Sequence, residues 1–358
     1  MDPLSALAVD VLGTPVVVRA PAAVLDELRP ALADLSTGPS ADGPGAERRL
    51  LLAEGAEGLT LHDGDRLVRS GIAPVVAAAT VVWHLNAIAA EGTGHVLLHA
   101  GCVADEAGGA VLLPGRSGAG KSTLTAACVA AGLAYLSDEL AALDPATGTM
   151  VPYPKPIGLD GERLVAASAL GGGPVAAPTA PTALVFPRYE PGRPLREVPL
   201  APGWALLALV AHAPNLAALG GAGLAWLAGL ALACPARQVI HGDAGAVVPL
   251  ARELAGRAAT PLAPAPILDP VTPTTTTVAL GTELAVLDHR TGQVHLLNPA
   301  AAAVWCATPA VVDDIDAPTH AAAVVRELAR SGAPMAPDDV SATLDHLVRA
   351  GLLPRPAS

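Results

Sequence analysis

Gly115 and the run Gly120-Lys121-Ser122 stand at the spacing G-x-x-x-x-G-K-[ST]. That pattern suits a loop wrapped around phosphate. Glycines let successive backbone N–H groups turn inward, and the N-terminus of a following helix favours an anion. Lys121 would bring a mobile positive charge to the β- and γ-phosphates, and the Ser122 hydroxyl could ligate Mg²⁺. The candidate nucleotide-binding segment is Gly115-Arg116-Ser117-Gly118-Ala119-Gly120-Lys121-Ser122-Thr123. An acidic pair, Asp138 and Glu139, begins 17 residues after Lys121. Such acids could hold Mg²⁺, face phosphates or accept a proton from an attacking hydroxyl. The plainer alternatives are a glycine-rich turn before an ordinary helix and a solvated acidic turn.

Composition singles out Lys121 again. Of 21 Lys+Arg residues, only Lys121 and Lys155 are lysines. A position that keeps lysine where arginine serves elsewhere calls for a compact charge on a flexible stem. Lys155 lies in Pro-Tyr-Pro-Lys-Pro-Ile, residues 152–157. It could contact phosphate or substrate, or sit in a proline-stiffened surface loop. His99 falls inside an apolar run and reads, on its own, as a core histidine.

The elements that would position these residues follow from the pattern around them. Residues 110–113 read as a buried strand, 122–131 as a helix stopped at Gly132, and 133–136 as a second strand. The acidic pair then lies at a strand's carboxyl end, where ligands sit in α/β sheets. Residues 95–104 read as a strand, and the turn at 105–109 predicts a hairpin with the strand before the glycine-rich loop. Further strands are expected at 182–188 and, as a sheet edge, 238–240, with a helix over 244–257. Upstream, residues 1–94 read as an α+β lobe with strands at 14–19, 50–52, 59–62 and 66–69. Its helices are expected over 22–35 and 73–90, with a loop at 39–45. No catalytic constellation is visible in that lobe.

Length and charge bound the rest. A chain of 358 residues accommodates two or three domains. A net charge of −12 disfavours nucleic acid or an anionic membrane as the main partner. The four cysteines are widely spaced with no C-x-x-C pair, which suits a reducing cytosol without structural zinc. The N-terminus lacks the basic region and apolar block of a signal peptide, so a cytoplasmic location is expected. Residues 198–236 contain no Asp, Glu, Lys or Arg. That length would permit a membrane span. Pro202, His212, Pro214, Asn215, Gly220, Gly221 and Gly223 interrupt it, so two buried or interface helices are expected instead. Residues 258–277, rich in Pro and Thr, read as an extended linker between domains at 95–257 and 278–358. Beyond it come three short strands, at 278–280, 283–288 and 293–297. Helices follow over 300–306, 318–331 and 337–351, a winged-helix-like order. Residues 278–354 hold four arginines, no lysine and nine acids, which argues against DNA. A free sheet edge there could accept a peptide as an added strand.

With these residues in place, the central part resembles the catalytic domain of HPr kinase/phosphorylase and its kinase relatives. The resemblance spans residues 95–160 and runs more weakly to 257. It is carried by His99, 22 residues before Lys121, by the 115–122 loop and by the acidic pair. It implies an α/β P-loop kinase core with a mixed sheet of the HPr kinase/PEP carboxykinase kind. It also implies His99 near the phosphates, Asp138 as general base and Glu139 on the metal side. Glu139 stands where that family has a second aspartate, and Pro-Lys-Pro-Ile is similar to a variant in divergent relatives. The C-terminal part resembles PqqD-like modules, which bind leader peptides of ribosomally made, modified peptides. The matching stretch runs from Leu287-Asp-His-Arg-Thr-Gly through Asn298-Pro to Trp305, with Ala350-Gly-Leu-Leu closing the last helix. That likeness implies a peptide strand added at 293–297 and packed against a helix at 339–353.

Together the two resemblances imply an Mg²⁺-dependent kinase using ATP, with GTP as the alternative. Asp138, His99 and Lys121 would be catalytic; Ser122, Asp138 and Glu139 would form the metal set. The acceptor would be a Ser or Thr of a precursor peptide recruited by 278–354, with lasso-peptide tailoring as the leading pathway. HPr kinases assemble as oligomers, which implies a homo-oligomer with 198–236 as a candidate interface. Two other readings stay open: a nucleotide-gated leader-peptide carrier without phosphotransfer, and a small-molecule kinase with a docking arm.

Overall fold

The structure, a computed structural model, describes residues 4–37, 48–91, 93–106, 108–159, 163–171, 177–308 and 317–354. The loop expected at 39–45 lies outside them. The chain divides into two compact units. The first holds Met1–Leu200, His212–Asn215 and Cys234–Leu262; the second holds Ala201–Ala211, Leu216–Ala233 and Ala263–Ser358. This corrects the expected boundaries at both ends. Residues 1–94 do not stand apart from the 95–200 region, because Leu97, Ala142 and Tyr153 share one apolar cluster with Leu61 and Leu85. Most of 201–233 leaves the central region for the C-terminal one.

The first unit opens with β1 (Ser5–Val11), β2 (Thr14–Ala20), α1 (Ala22–Ala31), β3 (Arg48–Gly55), β4 (Gly58–Asp63), β5 (Arg66–Ile72) and α2 (Pro74–Ala90). Among the described residues the strands form a sheet in the order β1-β2-β3-β4-β5, with β2 and β3 parallel. Alternate residues Leu7, Val9 and Val11 of β1 and Val16 and Val18 of β2 turn into the core with Leu25, Leu28, Val81 and Leu85 of the helices. Asp63 closes β4 and is held by Arg48 and by His84 Nε2 at 3.0 Å. The Arg48 bonds, against the cost of burial, draw its carboxyl down to about 2.

Next come β6 (Val96–Leu98), β7 (Ala100–Ala104), β8 (Gly109–Pro114), α3 (Lys121–Ala130), β9 (Ala134–Ser137), β10 (Ala141–Asp144) and β11 (Thr149–Val151). After them run β12 (Ile157–Leu159), β13 (Arg163–Val165), β14 (Ala180–Tyr189) and β15 (Arg196–Leu200), then α4 (Pro202–Val210), α5 (Leu216–Ala233), β16 (Ala236–His241) and α6 (Val248–Ala255). The apolar run 95–104 is not one strand. It breaks at His99: β6 joins a sheet β11-β10-β6, whereas β7 joins β15-β16-β14-β8-β7-β9. The expected hairpin is present, with Ala100 opposite Pro114 and Ala104 opposite Ala110. In this mixed sheet β8, β14 and β16 are parallel and the other neighbours antiparallel. The strand expected at the edge, 238–240, is interior β16, and β15 forms the edge. Pro199 and the charged pair Arg196-Glu197 suit that exposed rim. Leu124 and Val129 of α3 and Leu250 and Leu254 of α6 pack with Val111, Leu113, Val185 and Val239 of the sheet.

The second unit adds β17 (Ile267–Leu268), β18 (Thr275–Leu280), β19 (Glu283–Asp288), β20 (Gln293–Leu297), α7 (Pro299–Ala307), α8 (Ala317–Arg330) and α9 (Pro337–Arg349). Its antiparallel sheet runs β17-β18-β19-β20. The expected 258–277 linker is therefore too long: Ile267–Leu268 pairs with Thr277 and Val278, and the threonine run enters β18. Threonine is β-branched and fits a pleated strand as well as a loop. Successive β18 residues face opposite ways. Thr277 Oγ1 accepts from Trp305 Nε1 of α7 at 2.9 Å, while Thr276 lies against Gly221 of α5, where a Cβ would come within 2.6 Å. On β20, Leu297 joins the α7–α9 core and Leu296 lies against Gly203 of α4. Helices thus cover both faces of this sheet. The uncharged pair α4–α5 supplies one cover, which accounts for its composition. By length and composition α5 could cross a membrane, yet half of that stretch is buried in the unit and Gly220 kinks it (φ 56°, ψ −136°).

Candidate active site

The site is built where β8 ends. Gly118 (φ 80°) and Gly120 (φ 89°) take left-handed conformations that only glycine adopts without strain. They fold residues 115–120 into a tight loop, closed by Ala119 N–H donating to Arg116 O at 3.1 Å. Gly115 is equally constrained, since a Cβ there would meet Ala119 Cβ at 3.2 Å. α3 begins at Lys121 with no side-chain cap, so its first-turn amides have no capping partner. Ser122 is half-buried; Arg116, Ser117, Gly118 and Thr123 are exposed. Lys121 is 5 % exposed and donates from Nζ to Arg116 O at 3.0 Å. Burial lowers its pKa, while Asp138 and Glu139 pull it back up.

β9 delivers the acids. It pairs with β7 and releases the chain at Ser137, whose Oγ donates to Leu140 O at 2.6 Å. Asp138 follows with 0 % exposure; neither carboxylate oxygen makes a well-formed hydrogen bond, and the Ser122 hydroxyl is the hydrogen-bonding group beside it. Burial pushes its carboxyl up; Lys155, the nearby Ser122 hydroxyl and Lys121 act against that. Glu139 takes a left-handed turn (φ 64°), unusual for a side chain of this size. The turn aims its carbonyl at His99, whose Nδ1 donates at 3.0 Å. Burial and then Lys121 lower the His99 pKa, so the ring is neutral near pH 7 and Nε2 keeps its lone pair.

Lys155 belongs to the same cluster. It is 2 % exposed, and Nζ donates to Glu139 Oε2 at 3.1 Å and to Pro156 O at 3.3 Å. Its own carbonyl accepts from Tyr135 OH at 2.7 Å. The surface-loop alternative for this residue is thereby removed. Burial alone would raise the Glu139 pKa, but Lys155, His99 and Lys121 together hold it below the usual range. The structure therefore brings Lys121, Ser122, Asp138, Glu139 and His99 together and adds Lys155.

Comparisons with family models, with curated proteins and with solved structures return no match.

Sequence reasoning missed two further groups. His212 O accepts from His99 N at 2.6 Å, and the two imidazoles lie 6.4 Å apart between ring centroids. Burial, then His99, Lys121 and Arg116, lower the His212 pKa. Asn215 clamps the same short segment: Oδ1 accepts from Leu97 N at 3.1 Å and Nδ2 donates to His95 O at 2.9 Å. Their one signal in the sequence is a polar island, His-Ala-Pro-Asn, inside an uncharged stretch. The other group is Tyr189 and His241, at the carboxyl ends of β14 and β16 beside Gly120.

Among the described residues no group of three or more His, Cys, Asp or Glu side chains could hold a metal by itself. The described residues thus form no dedicated protein cage. That fits Mg²⁺, which commonly takes one or two protein oxygens and completes its shell with water and phosphate. Buried Asp138 beside Ser122 has the donor chemistry for such an ion, whereas the Glu139 carboxylate is occupied by Lys155.

Proposed function

We propose that this chain is an ATP-dependent kinase that phosphorylates a Ser or Thr hydroxyl of a precursor peptide. The observation that carries the reading is Asp138: fully buried, without a well-formed hydrogen bond to either oxygen, next to Ser122 and Lys121 at the start of α3. A buried carboxylate with so little hydrogen bonding is costly to keep, which points to a ligand or a proton that the site is made to receive.

The phosphate chain of the nucleotide would lie on the loop amides, with Lys121 exchanging Arg116 O for phosphate oxygens. Ser122 and Asp138 would hold Mg²⁺, which when bound neutralises charge on the β- and γ-phosphates. Lys155 offsets the Glu139 charge, so two neighbouring carboxylates do not repel the triphosphate. Asp138 takes the proton of the acceptor hydroxyl. The hydroxyl oxygen bonds to the γ-phosphorus as the bond from that phosphorus to the β–γ bridging oxygen breaks, and ADP leaves. Neutral His99, oriented by Glu139 O, offers Nε2 as an acceptor. Positioning and charge stabilisation carry most of such a reaction.

Recruitment of the peptide is supported by the edge of β20, which pairs with no further strand among the described residues, and by a cleft of about 450 Å³ lined by residues of α7 and α9. Asn298, Ala301, Met335, Asp339 and His346 line that cleft. A tethered peptide-binding module raises the local concentration of acceptor.

The test is intact-mass spectrometry of a precursor peptide encoded beside this gene, incubated with the protein, Mg²⁺ and ATP. The expected result is gain of one phosphoryl group, abolished by Lys121→Ala. Asp138→Asn, which removes both the base and a ligand for Mg²⁺, should slow transfer by at least roughly 10²–10⁴-fold, the range for a positioned base. An unmodified peptide with the unaltered protein would overturn the reading.

A further inference from the structure

The carboxyl ends of the three parallel strands β8, β14 and β16 carry, in turn, the glycine-rich loop, Tyr189 and His241. Tyr189 and His241 are register partners, the last residues of β14 and β16. In the sheet order, β14 and β16 lie on one side of β8 while β7 and β9, with the acids, lie on the other. A ligand on the loop is thus flanked by carboxylates on one side and by an aromatic pair on the other. The crevice outside parallel strand ends is where α/β sheets bind ligands.

The pair is close to the loop. A Cβ added to Gly120 would lie 3.2 Å from Tyr189 Cβ and 3.6 Å from His241 Cε1 and Nε2. Tyr189 is 48 % exposed, whereas Tyr135 and Tyr153 are buried. In a chain with four Trp, three Tyr and one Phe, an open tyrosine beside this loop is not surplus core. Its ring is braced by His241, with centroids 5.8 Å apart and planes tilted by 58°. His241 is 1 % exposed; neither ring nitrogen makes a well-formed hydrogen bond, and Asp243 is the polar neighbour that acts on the ring. An imidazole buried with so little hydrogen bonding serves here as a packing support for Tyr189 beside Gly120. The backbone after β14 is also fixed, by Glu190 N–H to His241 O at 2.8 Å and Gly242 N–H to Arg193 O at 2.9 Å.

We propose that Tyr189, supported by His241, is the stacking platform for the base of the bound nucleotide. The proposal rests on the nucleotide reading of the loop and adds where the nucleoside half goes. A tyrosine face stacks on any base and does not read its hydrogen-bonding edge. The platform therefore serves ATP and GTP alike.

The experiment is titration calorimetry of the full chain with Mg²⁺ and, separately, ATP, GTP and inorganic triphosphate. Tyr189→Ala should weaken ATP and GTP by about tenfold each, within the range for loss of one base–aromatic stack. Inorganic triphosphate should bind the variant as it binds the unaltered chain, which also shows the variant folded. Tyr189→Phe should restore both nucleotides. Equal weakening of nucleotides and triphosphate would make Tyr189 a prop for the loop and overturn the proposal, as would undiminished ATP binding. If the unaltered chain binds triphosphate but gains nothing from the nucleoside, the platform fails and the loop reading survives. If it binds none of the three, both fail.

Discussion

Lys121 and Lys155 are the only lysines, both are buried, and both lie beside Asp138 and Glu139. Composition pointed to Lys121 because its motif spacing agreed. It left Lys155 open because prolines 154 and 156 are as natural in a surface loop as in a buried one. Tyr135 OH anchors the Lys155 carbonyl, a contact across 20 residues that no local pattern announces. The Lys155–Glu139 pair is lopsided: the lysine side chain is 2 % exposed and the glutamate 48 %. Removing the acid still leaves Lys155 the buried Asp138 as counter-charge, whereas removing the lysine takes that counter-charge from Asp138, which has no exposure. Lys155→Met should therefore destabilise the fold more than Glu139→Gln, by about 1–3 kcal/mol against under about 1 kcal/mol. Urea denaturation of both variants checks the order, and the reverse order would refute it.

At the scale of elements, the strand–loop–helix unit was legible to within a residue or so, since an apolar run, a glycine loop and a helix stop at Gly132 are all local signals. The β6–β7 break at His99 was not, because every residue from 96 to 98 and from 100 to 104 is buried and apolar, so no periodicity marks the change of sheet. The interior place of β16 was hidden for a different reason: strand order is set by non-local pairing. Asn215 was hidden as well, since its amide imitates a strand neighbour for His95 and Leu97. Asn215→Ala should leave the Leu97 N–H and the His95 carbonyl unpaired and cost about 1–3 kcal/mol. Chemical denaturation measures this, and a change below about 0.5 kcal/mol would show that the clamp contributes nothing.

For the whole molecule, the sequence made the C-terminal module look self-contained after a linker. The structure gives that module two helices from far upstream, α4 and α5, packed on its sheet through Gly203 and Gly221. Sequence distance concealed this, and the uncharged stretch looked instead like an oligomer interface. Truncation after residue 277 should then leave α4 and α5 without β19 and β20 and their apolar faces in water. We expect the truncated chain to aggregate, as read by light scattering after size exclusion. A monodisperse truncated protein would show that the helix pair does not depend on that sheet. Point changes on the β20 edge are the sounder way to separate peptide binding from catalysis.

The placement of the lysines has a practical corollary. The protein has no side-chain amine besides these two buried ones, so an acyl-phosphate derivative of ATP, delivered to them by the glycine-rich loop, should tag Lys121, Lys155 or both. Protection of those two lysines by unlabelled nucleotide, read by peptide mass spectrometry, would then report occupancy of the site directly, without a substrate in hand.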